Sequence, residues 1–203
     1  MATATALFVI DIQNDLATDP QTRIPHAERI REAGAKILST ARAIINAQRA
    51  SAEELPAIIV FVQHEEEPEN GPLVRGSEPW KLVFEPDDAA PSERLVAKWT
   101  RDTFKSNPEL ASTLKAAGVQ EIIVFGIQSE CCVEATCNGA LAAGFEVVLL
   151  SGAHSTYDNG STAAEEIEKE VEDRLRAKGA KVVTWEEAVA TWERDGRLSL
   201  DSA

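Results

Sequence analysis

The sequence predicts a three-layer α/β fold: a mostly parallel six-stranded sheet with helices on both faces. Two observations point there. Six short runs rich in β-branched and apolar residues alternate with segments of helical period, the pattern of strands joined by right-handed crossover helices. Most of these runs are continuous rather than alternating in polarity, as expected of strands buried on both faces.

The first strand is predicted over Ala6 to Ile12. A helix follows over Arg29 to Ala50, where Ile30, Ile37, Leu38, Ala41, Ile44 and Ile45 fall on one stripe. Ala57 to Gln63 is the second strand and Arg94 to Ala97 the third. Between them, His64 to Ser92 is irregular and rich in Glu, Pro and Gly. A connection of this length is uncommon in a compact domain and often functional, so it is expected to shape a pocket. Pro108 to Ala117 reads as a helix because Ser106-Asn107 supplies a capping start. The fourth strand spans Glu121 to Gly126, and the Ala-rich stretch Cys132 to Ala143 is a helix stopped by Gly144. Phe145 to Leu150 is the fifth strand, Ser161 to Lys178 a charged helix and Ala180 to Trp185 the sixth strand. The whole chain, 1–203, is expected to form one domain.

The charge excludes some functions. With 34 Asp and Glu against 20 Lys and Arg, the formal net charge is -14. That sign repels phosphate backbones and anionic membranes, so no nucleic-acid or membrane partner is expected. No run approaches the roughly 20 apolar residues that span a bilayer. The opening Met-Ala-Thr-Ala-Thr leads straight into a strand-like segment, so no secretory signal is expected. Three cysteines, all between positions 131 and 137, make a poor disulfide framework and suit a reduced, cytoplasmic setting.

Ligands of such sheets bind beyond the carboxyl ends of the strands. Asp11 ends the first strand and Lys98 follows the third. Cys132 lies where Gly126-Ile-Gln-Ser-Glu-Cys-Cys enters a helix, and His154 follows the fifth strand. A thiol is nucleophilic as thiolate, and a helix amino terminus with a nearby Lys98 ammonium is expected to lower the Cys132 pKa. Asp11, between Ile10 and Ile12, suits a base that takes the thiol proton and returns it to a leaving group. The backbone amides of the turn before Cys132 suit an oxyanion. Each residue also has an ordinary alternative: a capping Asp, a solvated Lys, an inert core Cys. A rival arrangement is a Cys132–His154 dyad oriented by Asp11 or Asp158. No metal is expected, because His26, His64 and His154 show no paired ligand spacing and Cys132 and Cys137 lie five apart. Gly126 and Gly139 form no dinucleotide fingerprint, so no cofactor is expected either.

Four stretches occur in a telling order: Ala6-Leu-Phe-Val-Ile-Asp-Ile-Gln-Asn-Asp15, then Lys98 with Asp102-Thr103-Phe104, Leu110 and Leu114, then Gly126-Ile-Gln-Ser-Glu-Cys-Cys-Val-Glu-Ala-Thr136, then Gly152-Ala-His-Ser-Thr-Tyr-Asp158. Together they resemble the motifs of the isochorismatase-like cysteine hydrolase superfamily. In the third motif the nucleophile precedes Val and lies four before Thr, which selects Cys132 over Cys131. Gly152 departs from the fourth, where an acidic or apolar residue is frequent. The resemblance implies a Rossmann-like three-layer fold and a catalytic triad of Asp11, Lys98 and Cys132. It implies a cis peptide between Ile127 and Gln128 that turns the backbone amides of Gln128 and Cys132 toward one oxyanion. It also implies a small-molecule substrate and a homodimer or homotetramer.

Within the superfamily, metal-binding nicotinamidases carry an Asp and paired His residues after the second strand. Here that place reads Val62-Gln-His-Glu-Glu66, which disfavours nicotinamidase activity. The expected reaction is hydrolysis of a carbon–nitrogen bond in a small amide or carbamoyl compound through a Cys132 thioester. Gln13, Trp80, Phe84 and Tyr157 are the expected pocket wall. Two alternatives stay open. One is a true isochorismatase that uses Asp11 as acid and leaves Cys132 spare. The other is a catalytically silent binding protein.

Overall fold

The computed structural model of the protein describes residues 4–51 and 57–200. Six strands form one sheet: β1 (Ala4–Ile10), β2 (Ile58–His64), β3 (Glu93–Lys98), β4 (Val119–Ile127), β5 (Glu146–Ser155) and β6 (Lys181–Thr184). Their order is β3-β2-β1-β4-β5-β6, and every pairing is parallel. The chain therefore builds outward from β1 in one direction, returns, and builds outward from β4 in the other. The point of reversal lies between β1 and β4, where the crossovers diverge and leave a crevice at the strand ends.

Both faces are covered. Leu7 and Val9 of β1 join Phe61, Ile123 and Phe125 in one cluster, under α2 (Ala27–Ser51) and α7 (Trp185–Asp195). Phe8 and Ile10 join Val60, Val62 and Val124 in the other. That side is closed by α3 (Thr103–Ser106), α4 (Leu110–Ala116), α5 (Glu134–Ala142) and α6 (Ala164–Ala177). A strand that feeds two cores has no side free for polar residues, which is why β1 reads as an unbroken apolar run.

Three departures from the predicted elements have physical causes. First, α7 starts at Trp185, where the sequence suggests the end of a strand. Thr184 forms a capping box with Glu187 there, and the local Thr-Trp-Glu-Glu carries that signature. Second, β5 runs on to Ser155 instead of stopping at Leu150. Its register against β4 jumps from Val124↔Leu149 to Gly126↔His154. Gly152 sits in this irregular stretch with φ 78°, a left-handed conformation that glycine takes without penalty. This accounts for a glycine at that place in the motif. Third, a π-helical turn over Ser129–Val133 precedes α5, which begins only at Glu134. A four-residue helix, α1 (Asn14–Ala17), follows β1.

Candidate active site

β1, β3 and β4 each deliver one reactive group to the crevice. Asp11 follows β1 directly, with φ 48°, a left-handed backbone uncommon outside glycine, asparagine and aspartate. Beside it β4 passes so closely that a Cβ on Gly126 would meet the Ile10 carbonyl oxygen at 2.1 Å. Only glycine permits that approach. The Ile127–Gln128 peptide is cis, and the chain then turns through Ser129–Val133, which carries Cys132. Lys98 is the last residue of β3.

These groups meet around the Lys98 ammonium, which is fully buried. Its Nζ lies 2.7 Å from Asp11 Oδ2 and 3.2 Å from Cys132 Sγ. It is also 3.1 Å from His64 Nδ1 and 3.2 Å from the Thr100 carbonyl. Burial alone would lower the Lys98 pKa, but Asp11 and Cys132 outweigh it and the pKa is raised. Lys98 therefore stays a cation. Cys132 behaves contrary to the sequence expectation. Burial pushes its thiol up, the Asp11 carboxylate pushes further, and Lys98 opposes both without prevailing. The upward shift favours a neutral thiol at rest over a stabilised thiolate.

His64 is the residue that sequence reasoning passed over. The sequence presents it only as half of an absent histidine pair, whereas its partners come from other parts of the sheet. Burial and the Lys98 charge lower its pKa, against the pull of Asp11, Glu66 and Glu65. The ring is thus neutral, and Nδ1 accepts from Lys98. One ligand atom each from Asp11, His64 and Cys132 lies within 4.8 Å of the others, a grouping that could hold a metal ion. The spacing argument missed this set because its members are far apart in sequence. In this arrangement the Lys98 ammonium already sits against all three, so the cation at the centre is the protein's own.

Other predicted residues take supporting places. Gln13 is fully buried. Its Nε2 donates to the His64 and Trp80 carbonyls at 3.0 and 2.7 Å, and its Oε1 accepts from the His64 N–H at 3.0 Å. It therefore fixes His64 and is not cavity wall. Trp80 likewise serves through its carbonyl, which also accepts from Gln63. Phe84 packs on the core over Gly34. Tyr157 does line the cavity. His154 lies within β5 and is fully buried. Its Nδ1 is 2.8 Å from Ser129 Oγ, and its Nε2 faces Glu172 at 3.4 Å. The ring meets Ser129 and Glu172 beneath the turn that carries Cys132, which leaves the Cys132–His154 dyad without support.

The second motif also has a structural account. Asp102 caps α3 by accepting from the Phe104 N–H at 2.8 Å. Thr103 and Thr136 hydroxyls meet at 2.9 Å and tie α3 to α5. Ser106 Oγ accepts from the Trp99 and Thr100 N–H groups, which fixes the Thr100 carbonyl that receives Lys98.

The cavity over these groups measures ≈ 380 Å³ and is lined by Asp11, His64, Ile127, Gln128, Cys131 and Cys132, among others. Leu73 and Pro72, from the long connection after β2, close one side, so that loop does shape the pocket. No helix among the described residues is long and apolar enough to cross a membrane.

Comparison with known proteins agrees with this architecture. The isochorismatase domain profile matches residues 5–187. A streptothricin hydrolase from Streptomyces noursei is 36% identical over 155 residues, which cover 75% of this chain and 55% of the relative. A second streptothricin hydrolase from that organism matches over 50% of its length, so the matched stretch spans about half of these curated relatives. The fold is shared with a cysteine hydrolase from Pseudomonas syringae pv. phaseolicola, at TM-score 0.77 and 20% identity over 94% of this chain and 92% of that one. It is shared equally with an isochorismatase-like hydrolase from Alkaliphilus metalliredigens, at TM-score 0.75 and 22% identity over 93% and 99%. The chain belongs to the isochorismatase family of hydrolases.

Proposed function

We propose that this hydrolase cleaves a carbon–nitrogen bond in a small amide or carbamoyl compound, with Cys132 as nucleophile. The observation that carries the reading is the contact of Cys132 Sγ with a buried ammonium that is itself paired to Asp11. A neutral thiol beside a carboxylate needs that carboxylate as base. Burial and the Asp11 charge hold the proton on Cys132 at rest. As Sγ attacks the carbonyl, Asp11 takes its proton, and the adjacent Lys98 charge offsets the negative charge that builds on sulfur. The backbone N–H groups of Gln128 and Cys132 receive the oxyanion, a contribution of roughly 3 to 4 kcal/mol per donor. Asp11 then protonates the departing amine, and water releases the acyl group from the thioester. Similarity to a streptothricin hydrolase supports hydrolysis.

The test is a screen for ammonia release from small amides and carbamoyl compounds, with intact mass measured under turnover. The reading expects an acyl adduct on Cys132 and loss of turnover in Cys132→Ala. If Cys132→Ala instead cleaves isochorismate as fast as the parent, the vinyl-ether alternative is correct.

A further inference from the structure

The chemistry above uses one wall of the cavity, and another wall carries charge that it leaves unused. Three carboxylates line the cavity: Asp11, Asp15 and Glu66. Asp11 is matched by Lys98 at 2.7 Å. Glu66 is engaged, since its Oε2 accepts from the Leu73 N–H at 3.1 Å and its Oε1 lies 3.8 Å from His64 Nε2. Asp15 differs. It is only 9% exposed, yet its carboxylate makes no hydrogen bond or ion pair with any described residue.

The backbone of Asp15 is held firmly. Its N–H donates to the Pro79 carbonyl at 3.1 Å, and its carbonyl accepts from Thr22 Oγ1 at 2.7 Å. The side chain is therefore presented to the cavity by a fixed segment rather than by a loose loop. Its charge is felt there: burial raises the Tyr157 pKa and Asp15 adds to the rise. Arg101 is exposed and is the other cation besides Lys98 near this space. It acts on Cys131 and makes no ion pair with a carboxylate among the described residues. A carboxylate that faces a cavity without a partner attracts a cation that can pair with it there. No cation or donor among the described residues pairs with the Asp15 carboxylate, which lines the cavity.

We propose that Asp15 is an ammonium subsite and that the substrate is a carbonyl compound bearing a cationic amine. This deepens the amide-hydrolase reading and rests on it for turnover. The charge preference of the cavity, however, can be read without turnover. A net charge of -14 also favours the approach of such a substrate over an anionic one.

The experiment has two arms, each run on the parent, Asp15→Asn and Asp15→Glu, with thermal melts to establish folding. In the first, Cys132 is modified with aminoethyl or sulfonatoethyl methanethiosulfonate, and the peptide that carries it is followed by mass. Each rate is divided by that for free mercaptoethanol. The parent should favour the cationic reagent by about tenfold. Asp15→Asn should cut that preference by at least about threefold, and Asp15→Glu should keep most of it. No preference in the parent, or one that survives Asp15→Asn, overturns the subsite. In the second arm, ammonia release is compared for β-alaninamide and for butanamide, which puts a methyl where the ammonium stands. The subsite requires a higher kcat/KM for β-alaninamide that Asp15→Asn removes. If neither amide turns over but the reagents show the Asp15-dependent preference, the subsite stands and the amide reading loses its support. If butanamide turns over as well as β-alaninamide and the reagents do not discriminate, the amide reading stands and the subsite falls.

Discussion

Lys98 has three N–H bonds and four neighbours within 3.2 Å: Asp11, His64, Cys132 and the Thr100 carbonyl. With the thiol protonated, the three hydrogens suffice for oxygen and nitrogen, and the S–H can turn to Asp11. Once the proton has moved, sulfur needs Lys98. On the proposed mechanism the proton therefore moves during attack, and no standing thiolate is expected. Alkylation of Cys132 by iodoacetamide should keep rising with pH beyond the ordinary thiol value of about 8.5, with no plateau near neutrality. Asp11→Asn removes the charge that holds the proton on sulfur, so the thiol pKa falls and alkylation at pH 8 quickens. The same change should cost about a hundredfold or more in turnover, because the proposed base is gone. A plateau at neutral pH in the parent would contradict this account. The ammonium is also expected to keep a divalent ion out. Lys98→Ala should leave Asp11, His64 and Cys132 free to bind Zn²⁺, a carboxylate–imidazole–thiolate set that suits it, while the parent binds none there. Metal content after dialysis against Zn²⁺ decides this, and equal loading of both proteins would mean that Lys98 does not guard the site. Asp11, Lys98 and Cys132 were legible in the sequence because each lies at the end of a recognisable strand or in the turn just beyond one. His64 was not, because its significance comes only from the neighbouring strands.

At the scale of elements, the turn that carries Cys132 rests on β5 and α6 through a polar chain that runs from buried Ser129 and His154 to exposed Arg176. Ser129 meets His154 at 2.8 Å, His154 faces Glu172, and Arg176 approaches Glu172 at 3.1 Å. Burial would raise the Glu172 pKa, but His154, Ser151 and Arg176 prevail and lower it to about 2. The sign of its effect on stability follows. A carboxyl depressed in the folded state favours folding above its unfolded value of about 4.3, and loses that contribution as pH falls toward its folded value. Glu172→Gln should thus lower the melting temperature most at pH 7, with the gap closing between pH about 4.5 and about 2. A gap that stays constant across that window would show that the charge on Glu172 plays no part. None of this chain could be read from the sequence. Ser151-Gly152 looks like the end of a strand, and only the irregular pairing of β5 carries His154 back into the sheet. α7 is the opposite case: its Thr184-to-Glu187 capping box was present in the sequence, but the apolar run before it drew the reading toward a strand.

For the molecule as a whole, sheet order and charge act on the same crevice. The reversal between β1 and β4 brings residues 11 and 128–132 together without any long-range signal in the sequence, because parallel strands share one carboxyl edge. That rule made the site's location legible before the strand order was known. It said nothing about the cavity's side walls, where Gln13, Trp80 and Phe84 proved to be supports for β2 and the core. The charge has a global consequence as well. Several cross-element ion pairs, such as Arg42–Glu93 and Arg174–Glu134, are partly exposed, and such pairs contribute little each. They cannot cancel an excess of fourteen acidic groups. Self-repulsion at that excess opposes the compact state, and salt screens it. The melting temperature should therefore rise by a few degrees as NaCl increases from about 0.02 to about 0.5 M at pH 7. A fall over the same range would mean that the surface pairs outweigh the repulsion. The Asp15 wall would then be favoured for its local geometry rather than for the field around it.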